Sequence, residues 1–272
     1  MKPCCLTIAG SDSGGNAGVQ ADLRAFHCYG LHGCTVFAAL TAQNPSGVSA
    51  VRVLEPDFIA AQLDAVLGVY NIRALKTGML AVPEAIRTVA SRLRAYPDIA
   101  KVIDPVMVAT SGSKLLRDDA VKALADELIP LATILTPNLP EADVLLGDGA
   151  AALTAEEKAC ALHARFGCAV LVKGGHGDGA EAVDVLCDAA GRVKRFSAPR
   201  LVEPVSTHGT GCSLAAALAS ALALGLPLDE AVASAKHYVR EAIARAEYVG
   251  EGCGVLGFVP DARETCEATG HA

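Results

Sequence analysis

Thr207, His208, Gly209, Thr210, Gly211 and Cys212 form a small, turn-forming run directly before the apolar stretch 213–224. Turn residues followed by a helical apolar pattern place a helix start here. The backbone N–H groups of Thr210, Gly211 and Cys212 then stand at the positive end of a helix dipole. Glycine at such an end lets an anion approach the backbone closely. Cys212 shares the turn, where a helix N-terminus is expected to lower its pKa from roughly 8.5 and favour the thiolate. An anion cradle beside a base is the equipment of acyl or phosphoryl transfer. A plain glycine turn before a buried helix uses the same residues, so this segment alone leaves both readings open.

Other candidate groups stand at the ends of apolar runs. Asp104 follows Val102 and Ile103, and Asn138 and Glu141 are spaced i,i+3 on one helix face at the mouth of the next strand. Carboxylates and amides at adjacent strand ends suit Mg²⁺, which keeps most of its waters and binds through one or two carboxylates. Lys173 ends a further apolar run before Gly174 and Gly175, placed to neutralise phosphate. The glycine-rich segment 10–18 matches neither G-x-G-x-x-G nor the P-loop pattern. It supplies a strand-to-helix turn against which a flat ligand can lie, and Asp22, one helical turn later, either faces that pocket or is a solvated carboxylate. Together with the 209–211 turn, these groups predict a magnesium–nucleotide site with an anion hole.

The periodicities predict the elements that must carry them. Strands fall at 6–10, 34–41, 72–76, 102–105, 132–135 and 169–173, with a hairpin at 183–187 and 193–197 around Ala190 and Gly191. Helices fall at 19–29, 56–69, 83–96, 118–129, from about Asn138, 154–166, 211–224 and 228–248. Thr154 and Glu157 form a capping box. Alternating strands and helices imply an α/β fold, a mainly parallel central sheet with helices on both faces. Ligands bind beyond the carboxyl ends of strands in such folds, where the polar and Gly-rich segments lie. The pattern runs through residues 1–272 as one domain, with a core of about 5–248 and a loosely packed tail over 250–272.

Composition narrows the partners. A net charge of −7 and only 4% aromatic residues leave little to neutralise phosphates at scale or to stack bases, which argues against nucleic acid. The most membrane-like stretch, 214–228, is too short to span and is interrupted by Ser220, Gly225 and Pro227. The N-terminal residues lack a signal-peptide pattern, so a cytoplasmic protein is expected, its ten cysteines reduced and mostly in the core. No C-x-x-C pair exists. The groups Cys160, His163, Cys168 and His27, Cys28, His32, Cys34 lack structural-zinc spacing.

Seven motifs carry a family resemblance over about residues 5–248. They are G-S-D-S-G-G-x-A-G-x-Q-A-D at 10–22, L-T-A-Q-N at 40–44, K-T-G-M at 76–79, D-P-V-M-V-A-T-S-G at 104–112, T-P-N-x-x-E-A at 136–142, V-K-G-G-H at 172–176 and H-G-T-G-C at 208–212. The set resembles the hydroxymethylpyrimidine and phosphomethylpyrimidine kinases of thiamine synthesis, within the ribokinase-like superfamily. That resemblance implies a three-layer α/β fold, ATP and Mg²⁺ as cofactors, a small-molecule pyrimidine substrate and a homodimer. It implies two successive phosphorylations, of 4-amino-5-hydroxymethyl-2-methylpyrimidine and then of its monophosphate.

The resemblance also assigns roles. Cys212 is the implied base or hydroxyl-aligning group, with the amides of Gly209, Thr210, Gly211 and Cys212 holding the transferring phosphoryl group. Gln43 would read the aminopyrimidine edge in a pocket lined by Gly10, Asp22, Met79 and Val106. Asp104 and Glu141 would organise Mg²⁺, Lys173 and Thr207 would contact ATP, and Asn138 would support them. The nearest rival is a pyridoxal kinase on the same fold; Gln43 favours the pyrimidine, because an amide pairs with both a ring nitrogen and its exocyclic amine. A sugar kinase is disfavoured by Cys212, where that superfamily usually has aspartate. A silent ligand-binding protein is disfavoured by the joint presence of Asp104, Glu141, Lys173 and the 209–212 turn. Departures from the family pattern are Asn16, where a third glycine is commoner, Pro45 and Ser46 after the L-T-A-Q-N motif, and a tail without the family's His-rich ending.

Overall fold

The computed structural model describes residues 2–45, 47–107, 116, 118–175, 179–260 and 262. The later part of the D-P-V-M-V-A-T-S-G motif (108–112), His176 and most of the tail (263–272) therefore lie outside the described residues.

Nine strands form one sheet: β1 (Cys4–Asp12), β2 (His32–Asn44), β3 (Gly47–Val53), β4 (Ile72–Thr77), β5 (Ala100–Ile103), β6 (Ile134–Leu135), β7 (Ala169–Val172), β8 (Glu181–Cys187) and β9 (Val193–Pro199). Their order is β3-β2-β1-β4-β5-β6-β7-β8-β9. The stretch from β2 to β7 is parallel throughout, while β3, β8 and β9 join antiparallel at the two edges. This is the mainly parallel sheet that the alternation predicts.

Period-two burial explains the layers. In β7, Val170 and Val172 face one core while Ala169 and Leu171 face the other. The first core is closed by α2 (Pro56–Leu67), α3 (Pro83–Leu93), α4 (Asp118–Ala123), α5 (Leu139–Leu146) and α6 (Ala155–Phe166). The second is closed by α1 (Gly18–Cys28), α7 (Thr210–Ala223) and α8 (Leu228–Ala244). Helix α7 is apolar nearly all round, as a helix packed on all sides must be. It lies against α1, α8, β4 and β5, and its alanines let those neighbours come close. Ser220, buried in it, satisfies its hydroxyl on the Ala216 carbonyl at 2.8 Å.

Several boundaries differ from the sequence expectation. The helix expected over 118–129 is α-helical only to Ala123, then passes through a π turn (Leu124–Leu128) and a 3₁₀ turn (Ile129–Leu131). Pro130 has no N–H to continue the α ladder. The last helix ends at Ala244, not 248, because Glu247–Gly250 pairs with Cys253–Val255 as a separate two-stranded sheet, β10 and β11. Strand β3 was not expected; it pairs with a β2 that extends beyond 41. Cys4, Cys5, Cys28, Cys34, Cys168 and Cys187 are buried free thiols. No helix among the described residues is long and apolar enough to cross a membrane.

Candidate active site

Six parallel strands deliver their carboxyl ends to one edge of the sheet, and most of the predicted groups come with them. Gly10 lies near the end of β1, Gln43 near the end of β2, Met79 follows β4, Asp104 follows β5, Asn138 and Glu141 follow β6, and Lys173 follows β7; Asp12, which carried no predicted role, ends β1. They open onto a cleft of about 770 Å³, within the size range of small-ligand sites. Of the residues predicted to form the site, Gly10, Gln43, Met79, Val106, Asp104, Asn138, Glu141, Lys173, Thr207, Gly209, Thr210, Gly211 and Cys212 all line this cleft.

Asp22 does not. It is fully buried on α1, where its carboxylate meets Lys76 Nζ at 3.0 and 3.1 Å and accepts the Thr7 hydroxyl at 2.6 Å. Lys76 is equally buried, yet it forms part of the cleft floor. Burial works against its charge, but Asp22, then Cys212 and Asp104, hold the ammonium above the ordinary lysine value. Asp22 thus acts one layer behind the pocket, by fixing a cation under it. Lys76 carried no predicted role; a lysine ending an otherwise apolar strand was the available signal.

The helix start is built by close packing. Gly209 caps α7 with φ +85°, and a β-carbon there would lie 1.9 Å from the Asn16 carbonyl oxygen. Gly18, at φ +58°, is similarly pressed to within 2.4 Å of the Gly10 carbonyl for an added β-carbon. Asp12 gathers the loop between them, accepting the amides of Gly14, Asn16 and Ala17 at 2.8–3.0 Å. Burial raises its carboxyl, but the His208 ring and those amides together hold it below the ordinary aspartate value. The Ser213 amide closes onto Gly209, and Thr210 turns its amide to the Thr207 carbonyl at 3.4 Å. The cradle of free N–H groups at this helix start therefore reduces from the expected three to Gly211 and Cys212.

The thiol also differs from expectation. Burial raises Cys212 above the ordinary cysteine value; Lys76 and the Gly18 amide pull it down, while Asp22 and Asp104 push it up. The helix N-terminus does not prevail, because two carboxylates and the loss of water act on the same sulfur.

Close to the Gly211 end of that helix start, Lys173 Nζ lies 2.8 Å from Asp104 Oδ1 and 3.9 Å from Glu141 Oε2. Burial disfavours the ammonium, but Asp104 and Glu141 hold it above the usual lysine value. Burial likewise raises the Glu141 carboxyl, with Lys173 opposing and Asp104 adding to the rise. Asn138 and Glu141 form a capping box at the start of α5: Asn138 Oδ1 accepts the Glu141 amide and Glu141 Oε2 accepts the Asn138 amide, both at 2.8 Å. The spacing read as a shared helix face is thus first a cap that aims Glu141. Asp104 uses only Oδ1 in its bonds to Lys173 and Thr136, leaving Oδ2 without a protein partner among the described residues. Two carboxylates beside a lysine form an all-oxygen anionic set of the kind Mg²⁺ takes up with phosphates, so the residues present fit that ion.

Sequence reasoning also missed the buried pair Asp184–Lys236, both lining the cleft and 2.8 Å apart. Asp184 Oδ1 accepts the Gly174 amide at 2.9 Å and so anchors the loop after Lys173. Nothing in local spacing joins residues on β8 and α8.

An anion-ready helix start beside a lysine–carboxylate cluster in a small-ligand cleft is the equipment of a small-molecule kinase, and the comparisons place the chain in the ribokinase-like class. A family model described as phosphomethylpyrimidine kinase matches residues 12–257, and the chain belongs to that family. It is 48% identical over 258 residues to a hydroxymethylpyrimidine/phosphomethylpyrimidine kinase of Rhizobium meliloti, covering 93% of this chain and 96% of that one. Among solved structures, a phosphomethylpyrimidine kinase from Clostridium difficile superposes with TM-score 0.77 at 41% identity, covering 89% of this chain and 100% of that one. The pyridoxal kinase of Bacillus subtilis, solved as an ADP complex, superposes with TM-score 0.85 at 33% identity, covering 95% and 98%. Backbone likeness therefore extends to both kinds of kinase, while sequence identity is higher to the pyrimidine kinase.

Proposed function

We propose that this chain transfers the γ-phosphoryl group of ATP to the hydroxymethyl oxygen of 4-amino-5-hydroxymethyl-2-methylpyrimidine, and then a second to the monophosphate. The observation that carries the reading is the position of Cys212: it stands in the cleft at the first turn of α7, beside the free amides of Gly211 and Cys212, with Gln43 on the same cleft wall.

Phosphoryl transfer has a loose transition state, so positioning and charge stabilisation matter more than prior deprotonation. The amides of Gly211 and Cys212 donate to the oxygens of the transferring group, where charge accumulates. Lys173, next to Gly211, neutralises the same phosphate, and Thr207 and Asn138 line the cleft with it. Asp104 and Glu141 hold Mg²⁺, which when bound supplies further charge stabilisation at the phosphates. Gly10, Gln43, Met79 and Val106 frame the pyrimidine. Cys212 aligns the hydroxyl, and its thiolate form, favoured by the buried Lys76 ammonium, accepts the hydroxyl proton late in the step and so becomes the thiol. Because burial raises the thiol, only the fraction that has first lost its proton to solvent acts as the base. The same reading takes in a cytoplasmic location and a homodimer.

Product analysis by mass tests it. The wild-type protein with ATP and Mg²⁺ should convert the pyrimidine to mono- and diphosphate. Pyridoxal phosphate as the main product from a mixed pool would transfer the reading to the pyridine substrate of the Bacillus subtilis neighbour.

A further inference from the structure

The Gln43 side-chain amide has two neighbours that settle which way it points. As placed, Oε1 lies 3.2 Å from Thr41 Oγ1 and Nε2 lies 3.5 Å from His208 Nε2, but oxygen and nitrogen of an amide are told apart only by their partners. Thr41 has a single hydroxyl proton, and its 2.7 Å contact to the Ser11 carbonyl takes that proton, since a carbonyl oxygen only accepts. With that proton engaged, Thr41 Oγ1 is an acceptor toward Gln43, and the partners call for the two amide ends to be exchanged, with NH₂ beside Thr41. The carbonyl end consequently faces His208.

His208 leads to the same orientation independently. Its Nε2 is also 3.7 Å from Asp12 Oδ2, and an ionised carboxylate only accepts. Asp12 is held ionised by the amides of Gly14, Asn16 and Ala17. A proton on Nε2 suits both neighbours, facing the Asp12 carboxylate at 3.7 Å and the end of Gln43 at 3.5 Å. Amide ends and imidazole tautomers are fixed by partners rather than by shape, and here both sets of partners agree.

We infer that His208 is a specificity-determining positioning residue: held by Asp12, it locks the Gln43 amide with oxygen toward His208 and nitrogen toward Thr41. This inference rests on the pyrimidine reading above. The locked amide offers an acceptor to an exocyclic amine on its His208 side and a donor to a ring nitrogen on its Thr41 side. A 4-oxo pyrimidine presents the reverse, a carbonyl acceptor and a ring N–H donor, and pairs only with the turned amide.

The test compares kcat/KM for the 4-amino substrate and its 4-oxo analogue in wild type, His208→Leu and His208→Gln. Wild type should prefer the 4-amino compound by about tenfold to a hundredfold, the scale of one polar group left unpaired. His208→Leu frees the amide to turn, and the preference should fall about tenfold or more, chiefly through KM for the 4-amino substrate, with a smaller change in kcat and in KM for ATP. His208→Gln keeps a donor toward Gln43 and should recover most of the preference. Parallel loss on both substrates, with the ratio unchanged, would overturn the inference, because a purely structural role lowers both alike. A wild-type protein inactive on the 4-amino compound would instead overturn the pyrimidine reading itself.

Discussion

A β-carbon on Gly209 would lie 1.9 Å from the carbonyl oxygen of Asn16, so the first glycine turn and the start of α7 are pressed backbone to backbone. Residues some two hundred positions apart thereby close one wall of the cleft, and the anion cradle exists only when both are folded. Gly209→Ala meets this contact and a left-handed φ of +85° together. We expect it to destabilise the protein by about 2–4 kcal/mol in urea titration and to abolish most turnover. Wild-type stability would contradict the close approach.

Gly211→Ala provides the contrast. The nearest atom to an added β-carbon is Lys173 Nζ at 3.7 Å, ordinary van der Waals contact. Stability should change by less than about 0.5 kcal/mol, the usual scale away from special features. A methyl group would nevertheless narrow the approach of a phosphate to the Gly211 and Cys212 amides, so KM for ATP should rise severalfold. A variant with unchanged ATP kinetics would show that the phosphate binds elsewhere.

Cys212→Ala should lower kcat by about a hundredfold, within the range of general acid–base contributions, while KM for ATP stays within about twofold. Because burial raises the wild-type thiol, its kcat should still be climbing with pH above neutrality, as the thiolate fraction grows. That alkaline limb should vanish in Cys212→Ala. An unchanged kcat would remove Cys212 from proton transfer.

Lys76→Met leaves the Asp22 carboxylate buried without its counter-charge, both groups being fully enclosed. Breaking such a pair costs about 3–5 kcal/mol. The double variant Lys76→Met with Asp22→Asn should recover part of that loss in denaturant titrations, since the stranded charge is gone. Equal destabilisation by the single and double variants would show that the two residues are not coupled.

Asp12→Asn tests the loop that packs against Gly209. Asparagine keeps one acceptor but loses the charge toward three amides and His208, costing about 1–2 kcal/mol at neutral pH. Asp12 is depressed in the folded state, so its contribution is present above the unfolded-chain value and disappears as pH falls through the folded one. The stability gap between wild type and Asp12→Asn should therefore close in acid. A gap constant down to the lowest pH at which both fold would assign the loss to shape instead of charge.

The parallel sheet was legible because its strands are short apolar runs ended by the very residues that face the cleft: Asp104, Lys173 and, after β4, Met79. Strand β3 was not, because most of Gly47–Val53 is solvent-exposed and carries no buried alternation to read. Local rules also failed where distant groups decide. Asp22 sits at the right place on α1 to face a pocket, but its partner Lys76 arrives from another strand and draws it into the core. Cys212 has the helix start that lowers a thiol pKa, but burial and the approach of Asp22 and Asp104 belong to the tertiary structure. Asn138 and Glu141 were read as ligands sharing a face, while the i,i+3 spacing serves equally for the capping box that holds Glu141 in place. His208 lay inside a recognised motif without a role, because its partners Asp12 and Gln43 come from two other strand ends.

The most direct measurement is a competition: the protein with ATP, Mg²⁺ and equimolar 4-amino-5-hydroxymethyl-2-methylpyrimidine and pyridoxal, with products followed by mass at early times. We expect pyrimidine monophosphate, then diphosphate, to outpace pyridoxal phosphate by about tenfold to a hundredfold, the scale of a polar edge left unpaired. Pyridoxal phosphate accumulating as fast or faster would contradict the account.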